Sequence, residues 1–103
     1  MENKISAYIG FAKKSNKVIY GMDNLKVYDK KLYLIIVCMR GNNKYIDFAL
    51  SKKKETGCDV LRTNGVLLDE LAATNNCKIL GIKSKELSTA IIKNKAENLV
   101  EVI

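Results

Sequence analysis

Ile5, Tyr8, Ile9 and Ala12 recur at i, i+3, i+4 and i+7, so the chain opens with an amphipathic helix. Ser15-Asn16 interrupts that rhythm. The next segment, Lys17-Val18-Ile19-Tyr20, is short and β-branched, which predicts a strand closing on Gly21. Asp23 is a good N-cap residue and predicts a brief helix from there to about Lys30. Leu32 to Cys38 is apolar without alternation, as a strand buried on both faces requires, and is the best candidate for a central strand.

Beyond it, Arg40-Gly41-Asn42-Asn43 reads as a turn. Tyr45, Ile46, Phe48, Ala49 and Leu50 then mark a helix that ends on Gly57, a C′ glycine. Cys58 to Arg62 predicts the next strand. Asn64 is expected to cap a helix carrying Leu67, Leu68, Leu71 and Ala72, with Asn75-Asn76 as its stop and Cys77 to Ile82 as a further strand. Ser84 caps the last clear helix, with Glu86 in its first turn and Leu87, Ala90 and Ile91 on one face. The tail, Asn98 to Ile103, fits either more helix or another strand. After the opening helix, strand-like and helix-like segments alternate, which predicts an α/β domain, a three-layer α/β/α sandwich with helices on both faces of one sheet.

A length of 103 residues suits a single domain spanning 1–103. The longest apolar run, Leu32 to Met39, falls far short of the roughly 20 residues that span a bilayer, so no membrane partner is expected. Met1-Glu2-Asn3-Lys4 shows no apolar signal core before a cleavage site, and a cytoplasmic location is expected. Histidine is absent, which removes the commonest general base and every His-containing zinc site. Cys38, Cys58 and Cys77 form no Cys-x-x-Cys pair and read as reduced, partly buried thiols. No Gly-x-Gly-x-x-Gly or Gly-Lys-Ser/Thr motif offers a nucleotide site. Asp69-Glu70 is an adjacent pair whose side chains diverge around a helix, and both read as solvated. No cofactor and no catalysis are therefore expected.

Charge changes the picture more. Eighteen Lys and Arg against eleven Asp and Glu leave +7, a field that favours polyanions. The stretch Lys17 to Lys26 brings a strand end, Gly21, and a helix start together with cationic and amide side chains. Such a junction can receive an anion. Asn24 both donates and accepts, which suits a base edge, whereas Lys17 and Lys26 suit a phosphate backbone. Gly21 and Asp23 also fit a simple turn and cap.

The order of elements, the stretch Ile9-Gly10-Phe11-Ala12-Lys13-Lys14-Ser15-Asn16-Lys17-Val18-Ile19-Tyr20-Gly21 and the helix Leu68-Asp69-Glu70-Leu71-Ala72 together resemble the ribosomal protein L-seven-Ae family, in particular its bacterial YlxQ/YbxF-like branch. The resemblance implies an α/β/α sandwich that binds kink-turns, sharply bent RNA helices with tandem sheared guanine-adenine pairs. That family reads them through Gly-x-Asn-Glu-x-x-Lys at the start of the second helix. Gly21 matches the glycine, Asp23 and Asn24 stand where the family has Asn and Glu, and Val27 replaces the lysine, with Lys26 one residue early. A second RNA contact in the family lies in the loop after the fourth helix, here Thr74-Asn75-Asn76-Cys77. The resemblance thus implies an RNA-binding set of Lys17, Gly21, Asp23, Asn24, Lys26, Asn75 and Asn76. The implied partner is a structured, kink-turn-like RNA, with the ribosome as a candidate assembly. The rival expectation, supported by Val27, is a protein-interaction module on the same fold that has lost kink-turn binding.

Overall fold

The longest apolar run becomes the middle of the sheet. A computed structural model of the chain describes residues 4–95 and 98–102; residues 1–3 and 103, which belong to the opening and closing segments read above, lie outside the described residues. In chain order the elements are α1 (Lys4–Lys14), β1 (Val18–Tyr20), α2 (Met22–Val27), β2 (Leu34–Val37), α3 (Asn43–Thr56), β3 (Asp59–Thr63), α4 (Leu68–Ala72), β4 (Ile79–Ile82), α5 (Lys85–Lys93) and β5 (Leu99–Glu101). The strands form one mixed sheet in the order β1-β4-β2-β3-β5. β2 and β3 run parallel from the pair Leu34 and Asp59, and the β1–β4, β4–β2 and β3–β5 pairs are antiparallel.

Side chains alternate across a strand, so β2 feeds two cores at once. Leu34 and Ile36 pack with Ile5, Ile9, Leu68, Leu71 and Ile91 from α1, α4 and α5. Ile35 and Val37 pack on the other face with Leu25 of α2 and Ala49 of α3. All four β2 side chains are fully buried, and each contributes about 1.5–3 kcal/mol by leaving water. The result is an α/β sandwich with helices on both faces of the sheet, and the uninterrupted apolar run of β2 reflects burial on both sides.

Most predicted elements are present within a residue or two. Gly57 closes α3 in the left-handed conformation at φ 73°, Asn42 caps its start by accepting from the Lys44 N–H, and the Ser84 side chain accepts from the Leu87 N–H at the start of α5. Four local readings are corrected. α2 begins beside Gly21, and Asp23 lies in its first turn without making a cap hydrogen bond. The same helix stops at Val27 instead of near Lys30, because Tyr28 turns extended, with its carbonyl accepting from Lys52 Nζ at 3.2 Å. Leu67, not Asn64, precedes α4; Asn64 donates its backbone N–H to the Asn98 carbonyl at 2.8 Å and ties β3 to the tail. α4 itself ends at Ala73, in the left-handed region at φ 50°, ahead of the asparagines. The tail resolves as β5, antiparallel to β3.

Candidate nucleic-acid interface

Gly21 leaves β1 with φ 83° and ψ 153°, a region that only glycine enters freely. Its N–H donates to the Ile79 carbonyl at 3.0 Å, which fixes the β1–α2 junction against the start of β4. A Cβ on Gly21 would meet nothing within 4 Å, so the backbone angle requires glycine while the space beside it stays open. A ligand can approach the main chain there.

That open space is part of a cleft of about 190 Å³ lined by Gly21, Asp23, Lys44, Tyr45, Asn76 and Lys78, among others. The cleft lies beyond the carboxyl ends of β1 and β2, where the first turn of α3 meets the loop that enters β4. Gly21 and Asp23 from one predicted segment therefore meet Asn76 from the other. Lys44 and Lys78 add two cations, and Lys44 Nζ sits 5.3 Å from the centre of the Tyr45 ring. The cleft thus offers an acceptor-only carboxylate, an amide that donates and accepts, and ammonium donors. A carboxylate repels bare phosphate but accepts from the amino groups of bases, so the set suits a base edge framed by a phosphate backbone.

The remaining predicted residues are placed unevenly. Asn24 is exposed on α2, where its Nδ2 donates to the Tyr20 carbonyl at 2.8 Å. Lys26 is exposed on the same short helix, and Asn75 is exposed beside Asn76; neither lines the cleft. Lys17 is not brought to it. Lys17 stands at the opposite end of β1, where its carbonyl accepts from the Lys83 N–H at 2.8 Å.

The loop before β4 owes its shape to a residue assigned above to solvent. Asp69 is half-buried, and its two carboxylate oxygens accept from the backbone N–H groups of Cys77 at 2.9 Å and Asn76 at 3.1 Å. Asn76 is thereby held at φ 55°. No spacing rule links an acid to amides seven and eight positions on, which is why the sequence reading passed over it. Lys44, Tyr45 and Lys78 were missed for a related reason, because only the folded sheet brings them to Gly21.

Cys38, Cys58 and Cys77 are all buried and unbridged. Burial pushes the Cys77 thiol up to about 11 and raises that of Cys58 as well, so both stay protonated near neutral pH. Burial, followed by the proximity of Cys77, likewise raises the Tyr20 phenol. Among the described residues no three Cys, Asp or Glu side chains gather as a metal-ligand set, and no helix is long and apolar enough to cross a membrane.

Among solved structures the chain is similar to a protein with unknown function from Bacillus halodurans C, with a TM-score of 0.78 and 17% identity, covering 93% of this chain and 100% of that one. A likeness at that identity is one of fold. No family model matches the chain, and no curated protein matches it.

Proposed function

We propose that the chain binds structured RNA of the kink-turn type through the cleft at Gly21, without catalysis. One observation carries this reading. Two segments far apart in sequence, each implied as an RNA contact by the family resemblance, line one cleft through Gly21, Asp23 and Asn76, with Lys44 and Lys78 beside them. Asp23 and Asn24 meet base edges, Asn76 closes the far side of the cleft with Asn75 outside it, and Lys26, Lys44 and Lys78 contact phosphates. Gly21 lets the RNA come close to the main chain. A net charge of +7 supplies the long-range attraction. A folded RNA such as those of the ribosome is the partner class.

A protein-interaction module is the second reading, and Val27 favours it. This side chain ends α2 with 79% of its surface exposed, where the resembling family carries the lysine of its motif. A mobility-shift titration with a kink-turn RNA and a straight duplex separates the two. Asn24→Ala should weaken the kink-turn complex by on the order of 1–3 kcal/mol while leaving duplex binding intact. Lys26→Ala should weaken both RNAs about equally and make the salt dependence shallower. A parent protein without preference for the kink-turn would favour the interaction module.

A further inference from the structure

The misplaced Lys17 leads to the other end of the sheet. Its backbone is bonded to Lys83 at the end of β4, while Tyr33, just before β2, donates its N–H to the Ile82 carbonyl at 3.2 Å. Lys83 Nζ lies 5.8 Å from the centre of the Tyr28 ring, and the Tyr28 hydroxyl donates to the Lys31 carbonyl at 3.2 Å. Lys31 Nζ in turn lies 5.7 Å from the centre of the Tyr33 ring and donates to the Thr56 carbonyl at 3.3 Å. Lys83 and Lys31 are thereby linked with both ammoniums held over aromatic rings, Lys17 adjoins them through its backbone, and Lys85 lies across the cleft from Lys31.

The face surrounds a cleft of about 420 Å³ lined by Lys31, Tyr33, Asp59, Lys85, Ser88 and Thr89, among others. Lys85 opens α5, whose N-terminal end adds partial positive charge at the rim. The Ser88 hydroxyl is the one buried side-chain polar atom found without a hydrogen-bond partner among the described residues. Such groups are rare in folded proteins, and this one belongs to a lining residue of the cleft. The acids nearby are Asp59, at the cleft wall, Glu86, which accepts from the Ser84 hydroxyl at 3.4 Å, Asp29, next to Tyr28 in the chain, and Glu55, next to Thr56. Glu55 is already paired with Lys52 at 3.7 Å, which leaves the lysines of the face in excess.

We propose that this lysine-rich end of the sheet is a second phosphate-contacting surface, so that one molecule engages two segments of a folded RNA. The inference rests on the RNA reading of the Gly21 cleft. From Lys17 to Gly21 the strand rises about 3.3 Å per residue, which separates the two faces by roughly 13 Å. Lys17 and Gly21 flank opposite ends of β1, so the two faces are presented in opposite directions along the strand. The partner suited to the second face is a phosphodiester backbone, because its ammonium groups and the N-terminal end of α5 match phosphate oxygens.

Sedimentation equilibrium at low salt with excess short kink-turn RNA tests this. The parent should bind two RNAs per protein, and the Lys17→Gln/Lys83→Gln/Lys85→Gln variant only one. A control that removes the same charge elsewhere, Lys4→Gln/Arg62→Gln/Lys93→Gln, should still bind two, and both variants should hold the first RNA with the same affinity. One RNA per parent molecule, or two on the first variant, overturns the second surface while leaving the Gly21 cleft standing. A parent that binds no RNA overturns both. Capture of the parent but not the first variant on phosphatidylglycerol vesicles, with one RNA bound, would assign the face to a membrane and overturn the proposal.

Discussion

Gly21 and Asp69 shape the cleft without offering it any base-reading group of their own. The first supplies a backbone angle that other residues enter only at a cost of about 1–3 kcal/mol. The second holds two amides of the β4 approach, and hydrogen bonds to a charged group contribute about 1.5–3 kcal/mol each. Asp69→Ala should therefore lower stability in urea by about 3 kcal/mol or more and weaken kink-turn binding, although Asp69 touches no RNA in this account. Asp69→Asn keeps one acceptor and should fall between the two. An Ala variant that loses stability but binds kink-turn RNA as the parent does would show that the Asn76 loop is not part of the interface. Gly21 could be read from the sequence because a glycine at a strand end has a local meaning. Asp69 could not, since its partners are main-chain amides that any residue would present.

At the level of elements, α2 is the piece on which the site depends and the one with least intrinsic stability. Its six residues are too few to persist alone, so its position comes from packing. Leu25 is fully buried against β4, and a Cβ on Gly81 would approach Leu25 Cδ2 to 2.7 Å and Leu32 Cδ1 to 3.0 Å. Gly81→Ala should push α2 outward and lower stability by about 1–3 kcal/mol, as overpacking does. Kink-turn affinity should fall with it, and a variant with parental melting and binding would contradict this role for Gly81. Elements with a strong periodic or apolar signal, such as α1, α3 and β2, were legible in the sequence. The bounds of α2 and α4 were not, because tertiary contacts set them: Lys52 reaching the Tyr28 carbonyl, and Lys13 Nζ donating to the Ala72 carbonyl at 2.8 Å.

Across the whole molecule, the +7 charge is less available than its sum suggests. Lys13 and Lys52 are tied to carbonyls, and Lys95 pairs with Glu101 at 3.2 Å. Of the other cations, Lys44 and Lys78 lie at one end of the sheet and Lys17, Lys83 and Lys85 at the other. The α/β architecture was legible from the alternation of elements, whereas the division of lysines between the ends was not, because it depends on strand direction and order. The central claim is that Gly21, Asp23 and Asn76 form one RNA-reading cleft. An NMR titration of the amide-labelled protein with kink-turn RNA tests it most directly, with a straight duplex as the reference. The account predicts that amides of residues 21–24, 44–45 and 75–78 shift together at the same RNA ratio, and more strongly with the kink-turn than with the duplex. Shifts that leave these three segments unmoved, or that are identical for both RNAs, would contradict it.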